Sequence, residues 1–246
     1  MLAMFRTLIK YFFFGGVFFG LLSLSYWQFQ RGEEKKALLA AAEHNAQQPE
    51  WNINTTPLAQ LPTPSFTKMT LTGHYHPAQQ FLLDNQIVEN KLGVRVITPF
   101  SFKDVTGQMQ TVLVDRGFIA DGGQRTPLPP FTTPTNSETL HGQTFIPSQN
   151  PFIRDSTLLE GKNSPWRIQS IRIAAVEAWL KTPLLPFVLT LSSGEPGGFV
   201  IVPKTVTVMT PARHIGYAFT WLGLALTWIV LIGLFYRHER RHEKSR

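Results

Sequence analysis

Two long uncharged runs constrain this chain more than any other feature. Tyr11 to Trp27 reads YFFFGGVFFGLLSLSYW, and Ile215 to Tyr236 reads IGYAFTWLGLALTWIVLIGLFY. A helix rises about 1.5 Å per residue and a bilayer's hydrocarbon core is about 30 Å thick. The second run therefore spans comfortably. The first, with 17 residues, lies at the short end, and Gln28 and Gln30 extend it into the interface. Charged RGEEKK follows it at once, and the small residues Ala40–Ala42 lie too far downstream for a comfortable cleavage site. The first run thus reads as a retained anchor rather than a cleaved leader.

Charge distribution orients the two spans. The chain holds 23 Lys+Arg against 16 Asp+Glu, a net of +7, yet residues 32–213 carry 15 basic and 14 acidic groups, leaving +6 for the ends. Arg6 and Lys10 precede the first span; Arg237, Arg240, Arg241, Lys244 and Arg246 follow the second. Short cationic flanks stay on the cytoplasmic side, whereas long loops cross regardless of charge. The expected organisation is a cytoplasmic tail at 1–10, a transmembrane helix at 11–30, an extracytoplasmic domain at 31–213, a second transmembrane helix at 214–236 and a basic cytoplasmic tail at 237–246. A bilayer explains the basic ends, and no nucleic-acid partner is expected.

Glu33 to Gln48 is rich in Ala, Leu, Glu and Lys and predicts a helical continuation that stops before Pro49. Beyond it the pattern shortens to β-branched and aromatic runs bounded by Pro, Gly, Asn and Asp. Strands are expected at 69–75, 81–87, 93–102, 111–119, 138–146, 186–192 and 205–210. One helix is expected from a Ser170 cap through Leu180, with Ile171, Ala175, Ala178 and Trp179 near one face. Proline-rich loops at 56–66 and 126–137 are the expected mobile segments. The fold class predicted is an α+β membrane protein: two transmembrane helices flanking an antiparallel β-rich domain, barrel or sandwich, with one packed helix.

Catalytic signatures are scarce. The chain has no cysteine, which removes disulfides, thiolate nucleophiles and cysteine metal sites. No GxSxG, HExxH or phosphate-binding glycine loop is present, and GKNS (161–164) lacks the glycine-rich approach. SSGEPGGF (192–199) reads as a turn between strands. His74 and His76 alternate on a strand and read as a surface pair, with metal binding the alternative. Asp115–Arg116 interrupts an apolar strand and reads as a local ion pair, with a partner contact as the alternative. No enzyme is expected.

The second span is more informative. His214, Ala218, Trp221, Ala225 and Trp228 form one helical stripe, while Gly216, Thr220, Gly223 and Thr227 form a small-residue face. Gly16, Gly20 and Ser23 offer a matching small face on the first span. The expected seam joins the two small faces, with the histidine stripe beside it. His214 suits either an interfacial residue or a metal ligand, since neutral imidazole is a common axial ligand of haem iron.

These residues resemble a known family. YWQFQRGEEKK (26–36) is similar to the WQ-x-x-R-x-x-x-K segment that closes the first span of the surfeit locus protein 1 family. LLDNQIVENKLGVRVITPF (82–100) and VLVDRGFI (112–119) resemble its central block, and RHIGYAFTWLGLAL (213–226) its closing H-x-x-Y-A-x-x-W signature. Arg213 and Asp115 stand where asparagine is usual, and Leu222 where an aromatic is common. The resemblance implies a two-span assembly factor for haem–copper cytochrome c oxidase, binding haem a and assisting its insertion into subunit I. His214 is then the axial ligand of the haem iron, with Tyr217 and Trp221 shaping the slot. Trp27, Gln28 and Arg31 lie at the facing lip, where Arg31 suits a haem propionate. Oxidase subunit I and haem a synthase are the implied partners. With no transit-peptide pattern ahead of the first run, the expected place is a bacterial inner membrane, with the domain in the periplasm. The rival is a scaffold that stabilises an oxidase assembly intermediate without binding haem.

Overall fold

The computed structural model describes residues 2–62, 65–122, 131–147 and 164–243. Two compact units result: a helical one from Met1–Ala41 and Thr205–Arg246, and a β-rich one from Ala42–Lys204.

In the helical unit, α1 (Leu2–Gln47) runs unbroken for 46 residues, so the expected continuation beyond the first apolar run is present. No proline interrupts it, and it stops ahead of Pro49. The second helix, α3 (Pro211–Glu243), opens on proline, whose missing N–H costs nothing in a first turn. Thr210 precedes it, and the Arg213 N–H donates to both the Thr210 carbonyl and its Oγ1. Both helices are long and apolar enough to cross a membrane. Phe12, Phe19, Phe219 and Val230 stand more than half exposed on them, as lipid-facing residues do. The chain fits a two-span membrane protein.

The two helices run antiparallel, and their seam differs from the expected one. Ala218 and Ala225 are buried and Trp221 and Trp228 partly so. They face Phe14, Phe18, Leu21, Ser25, Gln28 and Gly32, at alternating spacings of four and three, as in left-handed helix pairs. A Cβ on Gly16, Gly20, Gly216 or Gly223 would meet nothing within 4 Å. Thr220 and Thr227 donate back to the carbonyls of Gly216 and Gly223 in their own helix. The tryptophan stripe takes the seam because its alanines leave room for the indoles, and the indoles need acceptors. Trp228 Nε1 donates to the Phe14 carbonyl at 3.1 Å, and Ser25 Oγ to the Ala218 carbonyl at 2.8 Å.

The β-rich unit is built from β1 (Trp51–Asn52), β2 (Lys68–Tyr75), β3 (Phe81–Val88), β4 (Lys91–Lys103), β5 (Met109–Ala120), β6 (Glu138–Phe145), β7 (Trp166–Ile168) and β8 (Val188–Leu191), with α2 (Ile173–Leu180) between the last two. The strand order is β1-β2-β6-β8-β5-β4-β3-β7, and a β2–β4 pairing closes β2, β6, β8, β5 and β4 into a ring. The domain is therefore a barrel rather than a sandwich. Glu89 and Asn90, both at positive φ, make the tight β3–β4 hairpin. Leu71, Phe100, Phe102, Val112, Val114, Leu140, Leu189 and Leu191 fill one cluster. The alternate residues Phe81, Ile97, Leu113, Ile168 and Val188 form a second, with Val176 of α2 in it. Gly142 sits where β6 meets β8; a Cβ there would collide with the Thr190 carbonyl.

Several expected elements shift. TVTVMT (205–210) is not a strand; Val208 is fully exposed, and the segment runs instead into the α3 cap. Ser170 is not the cap of α2, which starts at Ile173 after Arg172 with no side-chain cap bond. The short β1 and β7 were not anticipated, since two and three residues show no periodicity. Residues 63–64 and 126–130 of the two proline-rich loops, and 161–163 of GKNS, lie outside the described residues.

Candidate functional site

His214 lies on the first turns of α3, in the seam, and is only 8% exposed. Its Nδ1 meets Gln28 Oε1 at 2.8 Å. Gly32, one turn beyond Gln28, makes the approach possible. A Cβ there would stand 3.2 Å from Ile215 Cγ1 and 3.5 Å from His214 Cβ. With Oε1 turned to the ring, Nδ1 donates, because an amide oxygen only accepts. The neutral imidazole then keeps its lone pair on Nε2.

Three of the six expected site residues thus face the seam: His214, Gln28 and Trp221. Trp27 and Tyr217 are about half exposed on the outer faces of their helices. Arg31 is exposed as well, and its Nη1 donates to Glu34 Oε2 at 2.6 Å. Two seam residues at this end were missed, Ser25 and Gly32. The four-and-three spacing from Phe14 to Gly32 was the signal for them.

The β-rich unit has its own buried polar centres, and two of them involve VLVDRGFI. Asp115 and Arg116 do not pair with each other. They are adjacent on β5, so their side chains leave opposite faces. Asp115, fully buried, takes Arg95 Nε at 3.1 Å and Nη2 at 2.8 Å, Lys204 Nζ at 2.8 Å, and the Gly117 N–H. Burial pulls the Lys204 pKa down, while Asp115 works in the opposite direction. Gly117 has φ of +106°, and a Cβ there would stand 2.7 Å from the Val200 carbonyl. Glycine thus lets the 199–204 segment cross β5 as a strap, fixed by the Phe118 N–H to the Val200 carbonyl at 2.8 Å.

Arg116, also fully buried, is held by neutral acceptors. Nε donates to the Gly197 carbonyl at 2.7 Å, Nη2 to the Thr132 carbonyl at 2.6 Å, and Nη1 to Thr133 Oγ1 at 2.6 Å and Gln80 Oε1 at 3.2 Å. Its guanidinium lies 4.8 Å from the Phe199 ring centre and 5.1 Å from that of Tyr75. Burial lowers its pKa to about 10, so it remains a cation at neutral pH. This is a structural clasp on residues 132–133 and 197–199. His76, expected as half of a surface pair, lies just past β2 with Nε2 2.6 Å from Ser101 Oγ. Burial lowers its pKa, and neighbouring His74 adds to the effect.

The comparisons with known proteins agree on one family. The pattern of the SURF1 family matches residues 16–226. A SURF1-like protein of Rickettsia bellii is 27% identical over 235 residues, covering 92% of this chain and 88% of that protein. An uncharacterised SURF1-like protein of Mycobacterium bovis is 26% identical over 224 residues, covering 84% and 78%. The matched region takes in both Gln28 and His214, and the barrel between them. The chain belongs to the SURF1 family.

Proposed function

We propose that this protein holds haem a through His214 and assists its insertion into subunit I of a haem–copper cytochrome c oxidase. Membership of the SURF1 family implies a cytochrome oxidase assembly factor; haem is the cargo that the histidine's chemistry suits. The bond from His214 to Gln28 carries the reading. Metal-bound histidines donate their second ring nitrogen to a fixed acceptor, which sets the tautomer and steadies the ring. Gln28 supplies that acceptor, and Nε2 is left with the lone pair an iron requires. Because His214 is nearly enclosed, loading parts the residues around it. Arg31 can serve a propionate, because its exposed pair with Glu34 stabilises by at most about 1 kcal/mol and exchanges readily.

His214→Ala should insert and fold, yet lose most of the haem absorbance that co-purifies from haem-a-making cells, with reduced oxidase activity in the host. Gln28→Leu should weaken haem retention about tenfold or more, as removal of a ligand's supporting partner does. Unchanged haem content and oxidase activity in His214→Ala would overturn the reading and leave a scaffold that stabilises an assembly intermediate. Haem a synthase is the second partner proposed, as the source of the cargo; its co-purification with the wild-type protein checks this.

The orientation proposed puts both termini in the cytoplasm and the β-rich unit in the periplasm of a bacterial inner membrane, on the strength of the basic tails. A reporter active only in the periplasm should work when fused at Gln149 and fail when fused after Arg246. The opposite result would invert the topology.

A further inference from the structure

His74 and His76 stand two places apart on extended chain, so their side chains leave the same face of the sheet. His76 keeps the strand register past the end of β2, its N–H donating to the Pro99 carbonyl at 3.0 Å. Ser101 of β4 stands directly opposite His74 on one side and Thr111 of β5 on the other. Residues so paired have Cβ atoms about 5 Å apart. Ser101 Oγ is therefore flanked by both imidazoles: His74 is its cross-strand neighbour, and His76 Nε2 lies 2.6 Å away. Thr111 Oγ1 lies 2.8 Å from the same hydroxyl. Ser101 and Thr111 are buried, His76 is partly buried and His74 is exposed. Among the described residues nothing hydrogen-bonds to His76 Nδ1 or to the His74 ring, and His76 Nδ1 is open to solvent.

We propose that His74 and His76 together bind a divalent transition-metal ion of the imidazole-seeking kind, Cu²⁺ most tightly, with Ser101 positioning the His76 ring. The reach fits. Side chains two apart on an antiparallel strand start about 7 Å from each other, and two imidazoles leaning together from that spacing can each set a nitrogen about 2 Å from one ion. The hydroxyl pair fits as well. Ser101 Oγ can accept the Nε2 proton while giving its own to Thr111, which leaves the lone pair on Nδ1, the nitrogen that solvent reaches. Metal-bound histidines are steadied in this way by an acceptor on the second ring nitrogen. Burial lowers the His76 pKa and neighbouring His74 lowers it further, so the ring is neutral at neutral pH, as a ligand must be. The face selects the ion. Pro99, Ser101 and Lys103 alternate along β4 on this side and none is a carboxylate, so ions that need anionic oxygen, such as Mg²⁺ and Ca²⁺, are not served. Among divalent ions at nitrogen ligands, Cu²⁺ binds tightest, and water completes its coordination. The site lies in the β-rich unit and owes nothing to His214.

The test uses the full chain in detergent, without a histidine tag, titrated with Cu²⁺ and followed by electron paramagnetic resonance. Saturable binding is expected, with a signal of nitrogen ligation that excess Mg²⁺ does not remove. Ser101→Ala should weaken binding about tenfold, as loss of a ligand's supporting partner does, and alter the signal; Ser101→Thr should keep both. His74→Gln and His76→Gln should each weaken binding by more than that. His74 is exposed and makes no hydrogen bond among the described residues, so its replacement leaves the fold intact and separates lost binding from lost folding. His141→Gln, which removes a histidine already paired with Glu50, should bind as the parent does. The proposal is overturned if Cu²⁺ shows no saturable binding, if Mg²⁺ displaces it, if His74→Gln or His76→Gln binds it as the parent does, or if His141→Gln loses as much as His74→Gln. Unchanged binding and signal in Ser101→Ala would overturn the positioning role.

Discussion

Asp115→Ala should destabilise the β-rich unit by about 3–5 kcal/mol, the range found when one partner of a buried ion pair is removed. The reason is what remains. Arg95 and Lys204, whose side chains are 6% and 14% exposed, would face each other across an emptied position with no anion between them. The strap would lose its Lys204 tie to β5, while the Gly117 N–H would lose its acceptor. Urea unfolding of the detergent-solubilised protein, followed by the β-sheet signal, measures the loss. Adding Arg95→Leu to Asp115→Ala should restore part of it, because the second change removes a stranded charge. A loss below about 1 kcal/mol, the value of an exposed pair, would show that water reaches the cluster and that it is not the buried centre described.

Arg116→Met should cost about 3 kcal/mol or more, though methionine refills most of the space. Arg116 is among the largest fully buried side chains in the protein. Its replacement removes the charged donor to the Thr132 and Gly197 carbonyls, Thr133 Oγ1 and Gln80 Oε1, and hydrogen bonds to a charged group are each worth about 1.5–3 kcal/mol. Arg116→Lys should recover little, because one ammonium cannot reproduce a planar fork that serves these acceptors and Thr98 Oγ1 together. Limited proteolysis offers a second measure, since loops at 131–134 and 196–199 should become the early cleavage points. If the methionine variant unfolds at the parent's urea concentration, the guanidinium is not what clasps those loops.

Much of this architecture was legible in the chain, for reasons that differ by element. VLVDRGFI and GVRVITPF announce strands because alternation and turn residues are local properties. TVTVMT has the same composition but meets no partner strand, so the pattern misleads; a strand is a property of two segments. The separation of Asp115 from Arg116 follows from the two-residue period of any strand. Its real partners did not follow, because Lys204 returns only through the strap and Arg95 depends on β4–β5 register. The His214–Gln28 contact spans 186 positions. Both residues stood in the quoted family blocks, but the bond depends on which helix faces meet. There the small-residue rule favoured the wrong side: Gly216 and Gly223 offered close approach, whereas the indoles of Trp221 and Trp228 offered contact area and a donor.

The position of β8 in the ring sets an order of events during synthesis. β6 and β5 are not paired with each other; β8 stands between them, antiparallel to β6 and parallel to β5. A ribosome delivers α1 first and then every barrel strand but the last, so the growing domain carries two unpaired edges until Leu191 is made. Those edges are the kind of surface that recruits stray strands. Pro211 follows Leu191 by twenty positions, so the closing strand and the second anchor emerge almost together. A chain cut short after β6 keeps an anchor and an open sheet, a product suited to the cell's quality-control proteases rather than to a reduced form of the same activity.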